Sequence, residues 1–423
     1  MGKLSDLIPG GCATYSKGDD CFAFNAPEYL VKGEGCYVWD NKGNKYIDFG
    51  MGLRSVILGH AYPKVNEAVI EAIDKGTNFT RPCLLEKELA ELMLELFPWH
   101  DMVKFGKSGS DATSAAVKLA RAYTGRKTIL IAKQNPFISQ HDWFIGTTSK
   151  NGGIIPSPYV FWYDFNNLNE IKSFVEKQLK LDIAAIVLDP STVDITNESL
   201  QYLRKICDDY GIVFILDEVI SGFRYSLRGI QGIFGVYPDL CTFGKSMGNG
   251  FSVSALMGKR EIMQLGDSNY GNVFLLSGTH NAETSGLAAA IATITELKNK
   301  PAIFYNINMT GKLLVKGLIK KIEGYELEKV LKPKCFAINK QLIGSNPSIS
   351  FSSFEAKTIF DQHMIECNIL MPYIAPSYSH EASEIDNTLC AAEYALRGLS
   401  NAVKRKNLKA SCFKQWVEKP VFT

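Results

Sequence analysis

An α/β fold is what this sequence predicts, on three observations. Short Val/Ile/Leu-rich runs alternate with helix-like patterns through its middle, a hairpin pattern precedes them, and a mixed helix-and-strand pattern follows. The runs, between Met102 and Met257, are "MVKF", "KTILIA", "IAAIVLD", "IVFILDE", "LCTF" and "SALMG". Brief apolar runs separated by helices are the signature of a parallel sheet covered on both faces, and that is α/β architecture.

Taken in order, "GCYVWDNKGNKYIDFGMG" reads as a β-hairpin that turns at Asn41-Lys42-Gly43. In "KFGKSGSDATSAAVKLARAYTG" a strand gives way to a helix. Ala112, Ala115, Ala116, Leu119, Ala120 and Tyr123 keep helical spacing, and Gly125 stands as the stop. Beyond about Asn306, "GKLLVKGLIKKIEGY" is helical and "PSISFSSF" strand-like. The expected division is an amino-terminal segment 1–55, a large domain 56–305 and a smaller α+β domain 306–423, with the first joining the last.

The 423 residues are 46% hydrophobic and 21% charged, an ordinary globular balance that can bury a sizeable core without disulfide or metal staples. With 46 basic against 44 acidic residues the net charge is +2, which argues against nucleic acid as a partner. Lys404, Arg405, Lys406, Lys409, Lys414 and Lys419 make a basic final stretch, read as a solvated helical face. Ten scattered cysteines form no C-x-x-C pair and no Cys/His cluster, so no structural metal is expected. No window reaches 18 apolar residues, so no membrane-spanning helix is expected. "MGKLSDLIPGG" lacks a signal-peptide core and carries Asp6 where myristoylation needs a hydroxyl residue. Together these point to a cytoplasmic protein.

The chemistry begins with "FILDEVISGFR". An apolar run ends there in a bare carboxylate, Asp217, followed by Glu218. Ligands of open α/β sheets bind at the carboxyl ends of strands. Lys245 follows "LCTF" at another such end, among Gly244, Gly248 and Gly250, which let a ligand approach closely. A surface salt bridge is the mundane alternative for that lysine. A nucleotide-binding Walker loop is excluded, because Asp239 and Asp101 stand where its first glycine must be. Ser108, Gly109 and Ser110 open a helix just after a strand, an arrangement suited to a phosphate, though a plain Ser cap would look the same. A phosphate, a basic ring nitrogen for Asp217 and a carbonyl for Lys245 describe pyridoxal phosphate. A carboxylate keeps its ring protonated, and a lysine forms the Schiff base and then moves protons.

The chain resembles class-III aminotransferases of pyridoxal-phosphate fold type I, most closely the glutamate-1-semialdehyde aminomutase branch. The likeness runs through "IPGG", "YIDF", "LGHAYPKV", "SGSDATSAAVKLARAYTGR", "LDEVISGFR", "FGVYPDLCTFGKSMGNG", "SGTHNAETSGLAAA" and "EIDNTL". It implies a mostly parallel seven-stranded sheet flanked by helices, with a smaller domain. It further implies that Lys245 carries the internal aldimine, Asp217 binds the pyridine nitrogen, Val219 packs on the ring, and Ser108, Gly109 and Ser110 hold the phosphate. Gly278 and Thr279 would reach that phosphate from a second subunit, making a homodimer the active unit.

There are departures. Phe137-Ile138-Ser139 replaces the family's Tyr-His-Gly, so Phe137 would stack on the ring without a hydroxyl, with His141 and Asp142 close behind. Thr14 and Lys17 stand where the branch has Ser and Arg, and Asp189 replaces a Glu. No arginine lies between Glu366 and Leu396 to bind a carboxylate. Arg54 or Arg81 would serve instead, unless they are structural ion pairs, and His280 and Glu283 are further pocket candidates. "CATYSKGDD", "GLRSVILGHAYP" and "HDWFIGTT" resemble aminomutase-like proteins of surface-polysaccharide biosynthesis. Three readings stand: amino transfer between a donor and a carbonyl acceptor, an intramolecular aminomutase, and a cofactor-binding protein with weakened catalysis.

Overall fold

A computed structural model describes residues 4–155, 157–177 and 182–419. The hairpin forms as expected. Strand β1 (Leu30–Glu34) pairs with β2 (Tyr37–Asp40), and β2 turns antiparallel into β3 (Lys45–Asp48). Asp40 makes the turn by accepting the Lys42 and Asn44 amides at 2.9 and 2.8 Å, while Gly43 takes φ 86°, which favours glycine.

The central sheet has seven strands: β4 (Met102–Gly106), β5 (Thr128–Ala132), β6 (Val160–Tyr163), β7 (Ile183–Leu188), β8 (Val213–Asp217), β9 (Leu240–Phe243) and β10 (Ser254–Gly258). Their order is β4-β10-β9-β8-β7-β5-β6. Strands β5 to β9 are mutually parallel, and β10 runs antiparallel to both of its neighbours. The sequence runs foretell six of the seven. The edge strand β6 escaped them because it is four residues, mainly aromatic, of which only Tyr163 is fully buried.

Successive side chains of each strand face opposite layers. Phe214 and Leu216 join the layer built on helices Pro63–Asp74, Leu84–Leu96 and Asn197–Tyr210, whereas Val213 and Ile215 meet the helix Gly109–Thr124. Each such buried side chain contributes about 1.5–3 kcal/mol. Gly125, at φ 68°, ends the latter helix as the spacing predicts. Tyr123 departs from the expected apolar face: its phenol is drawn to Glu261, and the ring is 45% exposed.

Two further strands, β11 (Leu331–Ile338) and β12 (Gln341–Phe351), form an antiparallel ribbon, and β13 (Ile369–Leu370) pairs parallel with β3. One four-stranded sheet thus joins the first 50 residues to a strand near the other end of the chain. A second core gathers Phe49, Leu314, Leu318, Phe360 and Leu396. No helix among the described residues is long and apolar enough to cross a membrane.

Arg224 fastens these parts together. It is fully buried, and its guanidinium donates to the carbonyls of Arg54, Val56, Ser345 and Pro376 at 3.0–3.4 Å. Burial, with the nearby Arg54 charge, brings its pKa down to about 10, so the side chain remains a cation held by carbonyl dipoles. The loop after β8, the segment around Arg54 and the ribbon strand β12 are thereby fixed to one another.

Candidate active site

Strand β8 is buried along its whole length and ends at Asp217, which pairs with Thr242 on β9. The next residues of that neighbouring strand deliver Phe243, Gly244 and Lys245. One β-pairing therefore places the carboxylate and the lysine at the same sheet edge. Thr242 Oγ1 and the Val219 amide donate to Asp217 Oδ1 at 2.8 and 3.1 Å. Oδ2 receives no hydrogen bond from the described residues, although Asp217 is only 4% exposed. Burial, reinforced by the charge of Asp189, raises the Asp217 pKa. A carboxylate in that condition is one that a cation would restore to its ionised form.

Glu218 has a different role. It accepts from Ser221 Oγ, the amides of Ile230 and Gln231, and Gln231 Nε2 at 2.7–3.3 Å. A Cβ on Gly229 would stand 2.2 Å from Glu218 Oε2, and φ there is 60°. The second carboxylate is thus consumed by its own loop.

Lys245 adopts φ 42°, a left-handed conformation that an L-residue holds only when its surroundings impose it. Its pKa is lowered to about 8, first by burial and then by Arg54, against the opposing pull of Asp189 and Asp217. Only the neutral amine has the lone pair that attacks an aldehyde. Below that value the group is an ammonium and inert; above it the base form prevails. Mixing apo-protein with pyridoxal phosphate from about pH 6 to about pH 10 should give a capture rate that rises with a midpoint near 8. A midpoint near the ordinary lysine value of about 10.4 would show that the site does not desolvate the amine.

The third candidate segment, Ser108–Ser110, opens a helix. Ser108 caps the helix Gly109–Thr124, its hydroxyl accepting the Asp111 amide at 3.2 Å, and the Ser110 hydroxyl accepts from the Gln140 amide at 3.0 Å. Both hydroxyls keep a proton to donate. The amides of Gly109 and Ser110 have no acceptor among the described residues, as expected at a helix start. A Cβ on Gly109 would come within 2.8 Å of Val219 Cγ1, and one on Gly244 within 3.4 Å of the same methyl. Val219 therefore sits between the helix start and the lysine loop. The three separate sequence segments meet there.

The Phe137 segment is stapled to this helix. Thr113 Oγ1 donates to the Ile138 carbonyl at 2.9 Å, and Ser114 Oγ lies 3.0 Å from Ser139 Oγ and 2.6 Å from His141 Nδ1. Phe137 is 44% exposed and meets Phe144 edge-on. His141 also faces Asp111 at 3.8 Å.

Other candidates lie elsewhere or are already engaged. Thr14 and Lys17 are exposed on short amino-terminal turns, with Lys17 bordering a cavity of about 870 Å³ beside Phe22, Asp48 and His60. Arg81 is exposed. Glu283 caps the helix Thr284–Asn299 and pairs with Lys107 at 2.7 Å; burial works to raise its pKa, but Lys107 and Ser285 bring the net below the usual value. Gly278, Thr279 and His280 are exposed, and the Thr279 carbonyl accepts from Asn78. Arg54 alone of the substrate candidates is electrostatically coupled to Lys245. Its neighbours Asn346, Tyr373 and Arg224 carried no signal in the sequence, because each arrives from a distant segment.

These residues fit pyridoxal phosphate: an open buried carboxylate oxygen, two free amides at a helix start, and a desolvated lysine surround a side chain, Val219, that packs against two glycines. The class-III aminotransferase family matches residues 23–332 of this chain. A glutamate-1-semialdehyde 2,1-aminomutase of Alkaliphilus metalliredigens is 31% identical over 94% of this chain and 94% of its own length. One from Acetivibrio thermocellus is 33% identical over 92% and 94%. Among solved structures, an omega-transaminase from Sphaerobacter thermophilus has TM-score 0.80 at 27% identity, covering 93% of this chain and 95% of that one. The pyridoxal-phosphate internal aldimine form of a Sphingopyxis FumI protein has TM-score 0.84 at 25% identity over 95% of each chain.

Proposed function

Because this chain belongs to the class-III aminotransferases, enzymes that work with pyridoxal phosphate, we propose that it moves an amino group from a donor amine to a separate carbonyl acceptor. The observation that carries the reading is the pairing of β8 with β9, which sets Asp217 and Lys245 at one sheet edge. When bound, the cofactor supplies an aldehyde carbon that takes up amines and a protonated ring that withdraws electrons from the carbon beside the nitrogen.

The chain's own residues do the rest. Asp217, oriented by Thr242 and Val219, holds the proton on the ring nitrogen through Oδ2. The Gly109 and Ser110 amides, with the Ser108 and Ser110 hydroxyls, would hold the phosphate. Val219 closes one ring face, and Phe137 is the candidate for the other. Lys245 Nζ, once free, would move a proton between the substrate carbon beside the nitrogen and the cofactor's former aldehyde carbon, in one direction with the donor and in the other with the acceptor. A pKa of about 8 suits both tasks, since the group is neither locked as ammonium nor too weak a base. The exposed loops at Phe79 and Gly278–His280 would meet a second copy of the chain, giving a homodimer with shared sites. A keto-sugar acceptor, suggested by the three polysaccharide-type stretches, is part of the same proposal.

The names of the relatives favour a second reading, transfer within one substrate. The exposed Thr14 and Lys17, standing where that branch has Ser and Arg, support the first. A holoenzyme screen against amino acids and amino sugars decides between them. Inter-molecular transfer requires a separate donor and leaves one equivalent of keto product per amine made. Product formed from a single substrate with no keto compound released would overturn it in favour of the aminomutase.

A further inference from the structure

We infer that the carboxy-terminal tail is a proton-operated clasp. It holds the amino-terminal segment against the helix Phe354–Glu366 through a buried cluster of two carboxyl groups and one lysine, and it loosens as that cluster gives up a proton. The inference is independent of the aminotransferase reading.

The tail, residues 411–419, is bonded on both sides. Toward the amino-terminal segment, Trp416 Nε1 donates to the Phe22 carbonyl at 3.0 Å and the Lys419 amide to the Asp20 carbonyl at 2.6 Å. Toward the helix Phe354–Glu366, the Phe413 amide donates to Gln362 Oε1 at 2.9 Å, and Gln362 Nε2 donates to the Ser411 carbonyl at the same distance. The Glu418 amide donates to Thr358 Oγ1 at 3.0 Å. Asn25 adds one direct bond from the amino-terminal segment to the helix, Nδ2 donating to the Gln362 carbonyl at 2.9 Å. Within that segment the backbone bonds are local, as from Cys21 to Gly18 and from Phe22 to Asp19. A chain of single turns bonded to itself is easily displaced unless another element fixes it.

The lock is a cluster of three charges. Lys357 Nζ donates to Asp361 Oδ2 at 2.6 Å and also to Glu418 Oε2. Glu418 is only 2% exposed, and its Oε1 receives no hydrogen bond from the described residues, while the Asp361 carboxyl lies within reach of it. Two ionised carboxylates facing one ammonium leave a negative charge uncompensated in a buried place, and one shared proton cancels it. Burial, then Asp361, accordingly push the Glu418 pKa up to about 8 against the pull of Lys357. Burial opposes the charge on Lys357, but the two carboxylates hold it above the usual lysine range. The other titratable neighbours are thiols. Cys21 on the amino-terminal turn and Cys412 before the tail are both pushed up to about 11, chiefly by burial, with Asp20 and Glu355 as their next anionic neighbours. Both stay uncharged while the cluster titrates.

An undocked Glu418 loses its proton near the ordinary value of about 4.3. Docking therefore takes up a proton above that pH. The clasp is at full strength below the ordinary value, weakens as pH rises toward about 8, and levels beyond it. Its release has a consequence at the cleft. Lys17, Asp19, Phe22 and Trp416 form one wall of the cavity of about 870 Å³ whose other side is Gly50, Gly52 and Leu53, next in the chain to Arg54. Loosening the tail opens that wall.

Amide hydrogen exchange of the full chain, read by mass spectrometry and corrected for intrinsic rate from about pH 5 to about pH 9, tests this. In wild type, protection of peptides from 411–419 and from 15–25 should fall together by about 10–100-fold up to about pH 8 and then level, with β8 as the constant reference. Glu418→Gln removes the titrating group, and Asp361→Asn leaves one carboxylate for one lysine, so both should lose the slope. Wild-type protection that is flat across the range, or a slope that survives in Glu418→Gln, would overturn the inference. So would a tail that loosens while 15–25 keeps its protection. A variant that loses the protection of β8 has unfolded, and the wild-type profile then decides alone.

Discussion

Replacing Lys245 with alanine is expected to reduce turnover by roughly four orders of magnitude, the upper range for loss of a positioned acid–base group. Two roles vanish together: the amine that bonds to the cofactor's aldehyde carbon, and the base that carries a proton between substrate and cofactor carbons. Cofactor binding should survive in weakened form, because the Gly109 and Ser110 amides and Asp217 are untouched. The alanine variant should therefore still be stabilised by added pyridoxal phosphate in a thermal melt while failing to turn over. Alanine inherits the φ of 42° but not the buried amine, so no large loss of fold is expected. Activity within tenfold of wild type would assign the base elsewhere. A wild type that bonds the cofactor yet changes its spectrum with no amine would favour the reading of weakened catalysis.

The second large effect is expected from Asp217→Asn. The amide keeps the shape and can still accept from Thr242 and Val219, but it cannot hold a proton on the ring nitrogen. Turnover should fall by about 10²–10³, as when one preorganised electrostatic contact is removed. Stability should move the opposite way in the apo-protein. Burial and Asp189 raise the Asp217 pKa above its unfolded value, so its ionised form is a cost that grows as pH climbs from the unfolded value past the folded one. The asparagine variant, relieved of that cost, should melt above apo wild type at neutral pH, with the gap closing below about pH 4. With cofactor bound the order should reverse, because the protonated ring then answers the carboxylate. An apo variant less stable than wild type at neutral pH would mean that Asp217 is already paired within the chain.

What could be read from the sequence and what could not divides along one physical line. Asp217, Lys245 and the Ser108–Ser110 turn were legible because each closes a local pattern, an apolar strand or an opening helix, and because ligands of such sheets gather at strand ends. The central sheet followed from the same runs, apart from β6, a short aromatic strand of which only Tyr163 is fully buried. The surroundings of Arg54 were not legible. Its partner Asn346 is 292 positions away, and Tyr373 and Arg224 come from two further segments. No periodicity or spacing marks contacts made only by the closing of one sheet on another. Glu218 shows the converse: beside Asp217 in sequence, it points into its own loop and takes four hydrogen bonds there.

The most direct test is a crystal structure of the protein with pyridoxal phosphate. Continuous density should join Lys245 Nζ to the aldehyde carbon, with the ring nitrogen in hydrogen-bonding reach of Asp217 Oδ2 and the phosphate against the Gly109 and Ser110 amides. A cofactor bonded to a different lysine, or a ring whose nitrogen faces away from Asp217, would contradict it.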